Sequence, residues 1–455
     1  METVTNYGLI TLLPALVVVV FAIWTRKTWE MLLLGGLISC MIAYGFGFVT
    51  PFIDLICGAI SDGDTMWIVL ISLLFGSIIR LLRESKSTAA FAVIAERFAT
   101  TAKKSMIITW IMGLVIFIDD YLSVMTTGNA MIDTTDNRKV PREMLAYILD
   151  STSAPVCVII PISAWVVYFA GVFGRQPEAE YLGDGMAAYY ASMPWVFYAW
   201  ICVFLVPLVI LGVIPRLGAM KKAWERTEST GQTYSDVSKK YNELITSDEQ
   251  KSVGVQYFLI PLAAIVAVTI GVGDILYGVM AGIVVCAVMY IPTKVMSFDK
   301  VSECVIKGME DMVWMCAIIV SGHVLREGVL LIGMPDYVVQ TVAPYMSPVF
   351  LPVLSFIVVS VLAFVTSSVW SIPAVITPIV VPLAAAIDVS IPLTLGTILS
   401  GAIFGAHACF YADVTVLSSA ATRIDNMDHC LSQLPYALIG GVIACIGYLI
   451  AGFAM

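Results

Sequence analysis

The chain has 455 residues, 60% of them hydrophobic and only 13% charged, with a mean hydropathy of +0.93. Soluble domains carry about 25% charged residues, so the composition excludes a soluble globular protein and points to an all-α polytopic membrane protein. The net charge of −9 comes with no basic run, which leaves no footprint for nucleic acid.

Apolar runs of about 20 residues span a bilayer as helices. They fall near 8–25, 31–50, 66–84, 143–172, 190–215, 254–272, 275–293, 310–333, 392–422 and 431–454, about ten in all. The first lacks a basic flank and a small-residue cleavage site, and reads as a retained helix. Two further apolar segments, 105–136 and 350–390, are broken in the middle by polar or Gly/Pro residues and read as re-entrant hairpins. The ten cysteines are scattered singly without a CxxC pair, so they read as small hydrophobes rather than a disulfide framework or metal site.

The basic residues orient these elements. All of the 24 Lys and Arg except Arg175 and Arg326 then fall on one side, which the positive-inside rule assigns to the cytoplasm. Treating 105–136 as a single crossing would put Arg138, Lys139 and Arg142 outside. Both termini are therefore expected outside.

The arrangement divides the chain into a first repeat (1–216), a cytoplasmic linker (217–253) and a second repeat (254–455). Each repeat ends in a hairpin, a broken helix and a further helix, and the second runs upside down. The linker, charged with mixed sign, reads as solvated, partly helical and without chemistry. Inverted repeats with broken helices at the midplane are a recurring plan of secondary transporters.

Carboxylates at membrane depth cost roughly 2.5–3.5 kcal/mol each on insertion scales, so they mark ion or substrate paths. Asp119 and Asp120 close the apolar run Met106–Ile118, and Asp150 and Asp413 stand at the two helix breaks. These four are the expected cation- or proton-binding residues. Around them lie Thr126, Thr127 and Asn129 in the first hairpin, and Ser151, Thr152 and Ser153 at the first break. The second half adds Thr366, Ser367 and Ser368 in its hairpin, then His407, Thr415 and Ser418 at its break. Hydroxyl, carboxylate and freed carbonyl oxygens are hard ligands suited to Na⁺, with Asp150, Ser151 and Ser367 the candidate Na⁺ set. His407 reads equally well as a proton shuttle or as a buried donor. The cluster His323, Arg326 and Glu327 reads as side chains reaching for the headgroups.

Phe117-Ile-Asp-Asp-Tyr121, Arg142-Glu-Met-Leu-Ala-Tyr147, Asp150-Ser-Thr-Ser-Ala-Pro-Val-Cys157 and Pro161-Ile-Ser-Ala-Trp165 together resemble the NhaC family of sodium/proton antiporters. Ser400-Gly-Ala-Ile-Phe-Gly405, Leu417-Ser-Ser419 and Gln433-Leu-Pro-Tyr-Ala437 add to that resemblance, which covers most of the chain from about residue 66. It implies two re-entrant hairpins and an elevator-type movement. The second half departs from the family pattern, which reads Gly-Asp-His and then a polar run. Here Ala406 replaces the acid, Phe410 and Tyr411 enter the run, and Val414 replaces a Thr. That makes the pocket less ionic and more apolar, which suits a larger organic solute.

The expected function is a cation-coupled secondary transporter, not an enzyme. It would exchange or co-transport Na⁺ and/or H⁺ through a midplane carboxylate site, with no cofactor beyond the coupling ion. A Na⁺- or H⁺-coupled symporter of an amino acid or similar metabolite is the alternative, and an ion channel a further one. The expected partners are these ions, an organic solute, the lipid bilayer and a second copy of the chain as a homodimer, with no nucleic acid. The expected location is the prokaryotic plasma (inner) membrane.

Overall fold

A computed structural model describes residues 7–25, 27–87, 90, 97–242, 253–366 and 369–454. Every regular element among them is helical. Five helices among the described residues are long and apolar enough to cross a membrane alone, and two pairs bent by 49° and 50° bring the number to seven. Several expected crossings are shorter apolar rods, such as Gln256–Val272 and Ile275–Tyr290. The helix Val49–Ser61, which was not foreseen, fills the gap between the second and third expected spans.

The last helix, Asn426–Ala454, shows why the chain needs lipid around it. Leu431, Leu438, Val442, Ile446 and Ile450 recur at helical spacing and are exposed. The opposite face buries His429, Gln433, Tyr436, Gly440, Gly441 and Tyr448. An apolar face outside and a polar face inside is the reverse of a soluble helix, and it turns costly polar groups away from the bilayer.

Two groups of helices can be distinguished. The flanking group contains Thr28–Tyr44, Val49–Ser61, Gly63–Glu84, Gln256–Val272, Ile275–Tyr290, Phe298–Asp311 and Val313–Leu331. Its helices cross closely where glycine allows. A Cβ on Gly76 would lie 2.0 Å from the Gly308 carbonyl oxygen, and one on Gly308 would lie 2.4 Å from that of Gly76. The helix Gly63–Glu84, about 33 Å long at 1.5 Å per residue, carries distinct charges at its two ends. At one end Arg175 donates to Thr65 at 2.8 Å, and Arg326 donates to the Arg175 carbonyl. At the other end Arg80 pairs with Asp311 at 2.9 Å and Lys300 approaches Glu84 at 3.8 Å. The two basic residues that sequence placed apart from the rest thus meet at the end away from Arg80 and Lys300.

The second group bears the polar breaks. Ala102–Val115 and Asp120–Asn137 pack together as one hairpin, and Leu351–Thr366 and Ser371–Ala386 as another. None of these four limbs is among the helices long and apolar enough to cross alone. Asp119 is extended and caps the second limb of the first hairpin, accepting from the Leu122 amide at 2.8 Å. Between the hairpins runs the doubly broken helix Arg142–Ser151, Ala154–Ile159 and Ala164–Phe173. Pro155 sits in the first turn of its middle piece, where a missing amide hydrogen costs nothing. The second half repeats the order, with Ile391–Ala408 broken before Asp413–Thr422 and the last helix following. Trp370, at the turn of the second hairpin, lies against Trp165 with ring centres 4.4 Å apart, and its carbonyl accepts from Tyr168.

The linker differs from its reading as a solvated segment. Gly218–Thr230 is a helix with Met220, Ala223, Trp224 and Thr227 buried, and a short turn, Val237–Tyr241, follows. Arg226 bonds to the buried Glu143 of the hairpin group, whereas Lys221, Lys222, Glu225, Glu228, Asp236, Lys239 and Lys240 stay exposed as expected. The remainder of the linker, 243–252, lies outside the described residues.

Candidate ion site

Asp150 is the penultimate residue of Arg142–Ser151, where the helix gives way to the break. Its side chain is 3% exposed. A carboxylate so buried needs partners, and it has three. Its Oδ2 accepts from Thr415 Oγ1 at 3.0 Å and from Gln433 Nε2 at 2.6 Å, and lies 3.2 Å from His429 Nε2. Thr415 comes from the second broken helix, while His429 and Gln433 stand one turn apart on the last helix. The first half therefore contributes the acid and the second half its partners.

A second ring of bonds surrounds this centre. Gln433 also donates to the His407 carbonyl at 2.7 Å. The His407 imidazole lies 3.1 Å from Ser151 Oγ on one nitrogen and 2.7 Å from Tyr198 OH on the other. Both ring nitrogens are occupied, so of its two readings the arrangement favours a fixed, hydrogen-bonded histidine. Four buried polar atoms on these helices and on Asp120–Asn137 have no hydrogen-bond partner: Thr127 Oγ1, Ser418 Oγ, Gln433 Oε1 and His429 Nδ1. Unmet buried oxygens are rare in folded proteins, and three of these are the hard donors an alkali cation takes. Helix Asp120–Asn137 carries Thr127 against helix Asp413–Thr422, where a Cβ on Gly128 would lie 2.8 Å from Ala421 Cβ.

Asp413 belongs to a different setting. It opens its helix, is exposed, and takes the Val414 amide at 2.9 Å on Oδ1. Tyr121 OH donates to its other oxygen. Asp120, 2% exposed, accepts from the Tyr121 amide at 3.1 Å and feels the charges of Asp119 and Asp413. Tyr411 lies nearby on the break, donating to the Val365 carbonyl at 2.7 Å.

The remaining expected residues are placed as follows. Thr152 and Ser153 turn back to the carbonyls of Ile148 and Asp150, at 2.7 and 2.8 Å. Thr366 likewise bonds its own helix at Leu362. Thr126 is buried within its hairpin limb, whereas Asn129 is exposed and does not join either cluster. Ser367 and Ser368 lie outside the described residues. His429, Gln433, Tyr198 and Tyr121 were not foreseen as site residues. The signal for the first two was present: a His and a Gln four residues apart, on one face of a helix that is apolar beyond its polar start.

A family model described as the Na⁺/H⁺ antiporter family matches residues 156–453. The chain belongs to the Na⁺/H⁺ antiporter family. It is accordingly a multi-pass membrane protein and a secondary transporter rather than an enzyme, with ion coupling and cation substrates. An uncharacterised protein of Haemophilus influenzae is 27% identical, with 97% of this chain and 91% of the relative aligned. Two solved structures share the fold at 10% identity. The YdaH transporter of Alcanivorax borkumensis, described as having an unusual topology, superposes with a TM-score of 0.64, covering 96% of this chain and 98% of its own. MtrF of Neisseria gonorrhoeae, described as illuminating a class of antimetabolite efflux pumps, gives 0.62 over 93% and 94%.

Proposed function

We propose that this antiporter-family member moves Na⁺ and/or H⁺ through a site centred on Asp150, the two ions competing for the same carboxylate. The observation that supports this reading is the buried carboxylate itself, held by Thr415, Gln433 and His429 from the other half of the chain. Na⁺ would take Asp150 with the unpartnered oxygens of Thr127, Ser418 and Gln433, and Ser151 would orient His407 beside it. A proton arriving at Asp150 would weaken the ion's hold, and this mutual exclusion is what exchange requires. Asp119, Asp120 and Asp413 would form the approach to the site.

The same reading takes residues 1–216 and 254–455 as inverted repeats, with ten crossings and both termini outside a prokaryotic inner membrane. The hairpin group would move past the flanking group. An organic solute is the second reading, favoured by the aromatic rings beside the exposed Asp413, namely Tyr121 and Tyr411. Purified protein in proteoliposomes separates the two. Exchange is supported by saturable Na⁺ uptake driven by an imposed pH gradient with no organic solute present. Na⁺ uptake that appears only when an amino acid or similar solute is added would replace exchange by symport.

A further inference from the structure

The linker makes more bonds than a tether needs. Arg226 donates both terminal nitrogens to Glu143 at 2.9 Å each, and the Glu143 side chain is 4% exposed. Arg142, 7% exposed, pairs with Asp136 at 2.7 Å, donates to Asn242, and lies under the Tyr234 ring with its guanidinium carbon 4.6 Å from the ring centre. Its amide donates to the Thr233 carbonyl at 2.9 Å. On the other side, Ser235 and Ser238 both donate to Asp428, at 2.5 and 3.1 Å. Asn242 donates to the Arg423 carbonyl at 3.1 Å, and the Asp425 amide donates to Ser238 at 2.8 Å.

These bonds close a ring. Arg142 and Glu143 lie in the first turn of the helix whose penultimate residue is Asp150, and Asp428 precedes His429. The linker fastens those two starting points together, and Asp150 meets His429 across the ring at 3.2 Å. Bidentate, buried Arg–carboxylate pairs fix geometry in a way exposed pairs do not. The bonds named here all reach the hairpin group.

We infer that Arg216–Asn242 is a strap built into the hairpin group, and that Arg142 and Arg226 are positioning residues holding Asp150 in register with His429. The role in transport rests on the Asp150 reading above, whereas the mechanical claim does not. The test combines hydrogen exchange with Na⁺ flux on the full chain, in Arg226→Ala and in the charge-reversed pair Glu143→Arg with Arg226→Glu. Ser235→Ala with Asp428→Asn is the milder variant should Arg226→Ala fail to fold. Lys221→Ala, which removes a pair on the exposed face of the strap, is the control.

Arg226→Ala and the milder variant should raise exchange in peptides covering 142–151 and 426–433. They should also raise the Na⁺ KM about tenfold, the size typical of losing a group that orients an ion's ligand, with a much smaller change in kcat. The charge-reversed pair should recover part of both, and Lys221→Ala should alter neither. Faster exchange confined to 217–242, or an unchanged Na⁺ KM in a folded variant, would overturn the inference. A wild-type protein without Na⁺- or H⁺-dependent flux would remove the functional reading instead, leaving exchange alone to decide the strap.

Discussion

Asp150 and Asp413 occupy matching places in the order of the two halves, each beside the break of a broken helix, yet their surroundings have little in common. Asp150 is sealed in and held by a threonine, a glutamine and a histidine from the other half. Asp413 is exposed and takes one side-chain donor, Tyr121. The difference follows from the residues around each break. Beside Asp150 stand small polar residues, Ser151 to Ser153, which leave room for partners to approach. Before Asp413 stand Phe410, packed on Phe364 with ring centres 5.9 Å apart, and the exposed Tyr411, bonded to the Val365 carbonyl. Similar topology has thus been given two settings, a sealed and hydrogen-bonded carboxylate and an open, partly aromatic face.

The sharpest way to break the comparison is to truncate the sealed acid. Asp150→Ala leaves His429 and Gln433 without their partner, and breaking a buried pair costs about 3–5 kcal/mol. Flux in proteoliposomes should fall by at least about 100-fold. Flux near the wild-type level would show that ions do not pass through this carboxylate. Gln433→Ala removes donors to both Asp150 and His407. One hydrogen bond to a charged group contributes about 1.5–3 kcal/mol, so the Na⁺ KM should rise by at least about tenfold, read from initial rates over a Na⁺ series.

The open site should respond less. Tyr121→Phe deletes only the hydroxyl facing Asp413, in a setting where water can replace it. A threefold effect or less is expected, about 0.5 kcal/mol, measured as Na⁺ KM in the same assay. A larger loss than that of Gln433→Ala would invert the ranking of the two centres. The smallest effect belongs to Asn129→Ala, on the exposed face of the first hairpin, where surface changes stay within about 0.5 kcal/mol. Its thermal midpoint and flux should match wild type.

Much of the fold was legible because the bilayer makes sequence periodicity and length speak plainly. The hairpin expected at 105–136 occupies Ala102–Asn137, and that expected at 350–390 occupies Leu351–Ala386. The meeting of Asp150 with Thr415, and of Ser151 with His407, follows from polar residues at membrane depth seeking one another. His429 and Gln433 were harder to see, since one turn of polar residues near the start of a 29-residue helix resembles an interfacial cap. The strap escaped for a different reason. A charged segment between apolar runs looks the same in sequence whether its charges meet water or a buried Glu143, and only packing distinguishes the two.

The most direct test of the central claim is Na⁺ binding by calorimetry to purified wild-type protein, Asp150→Asn and Asp413→Asn. Saturable binding should weaken as pH falls in the wild type, vanish in Asp150→Asn and persist, weaker, in Asp413→Asn. Wild-type binding by Asp150→Asn, or its loss only in Asp413→Asn, would place the ion at the open carboxylate and contradict the account.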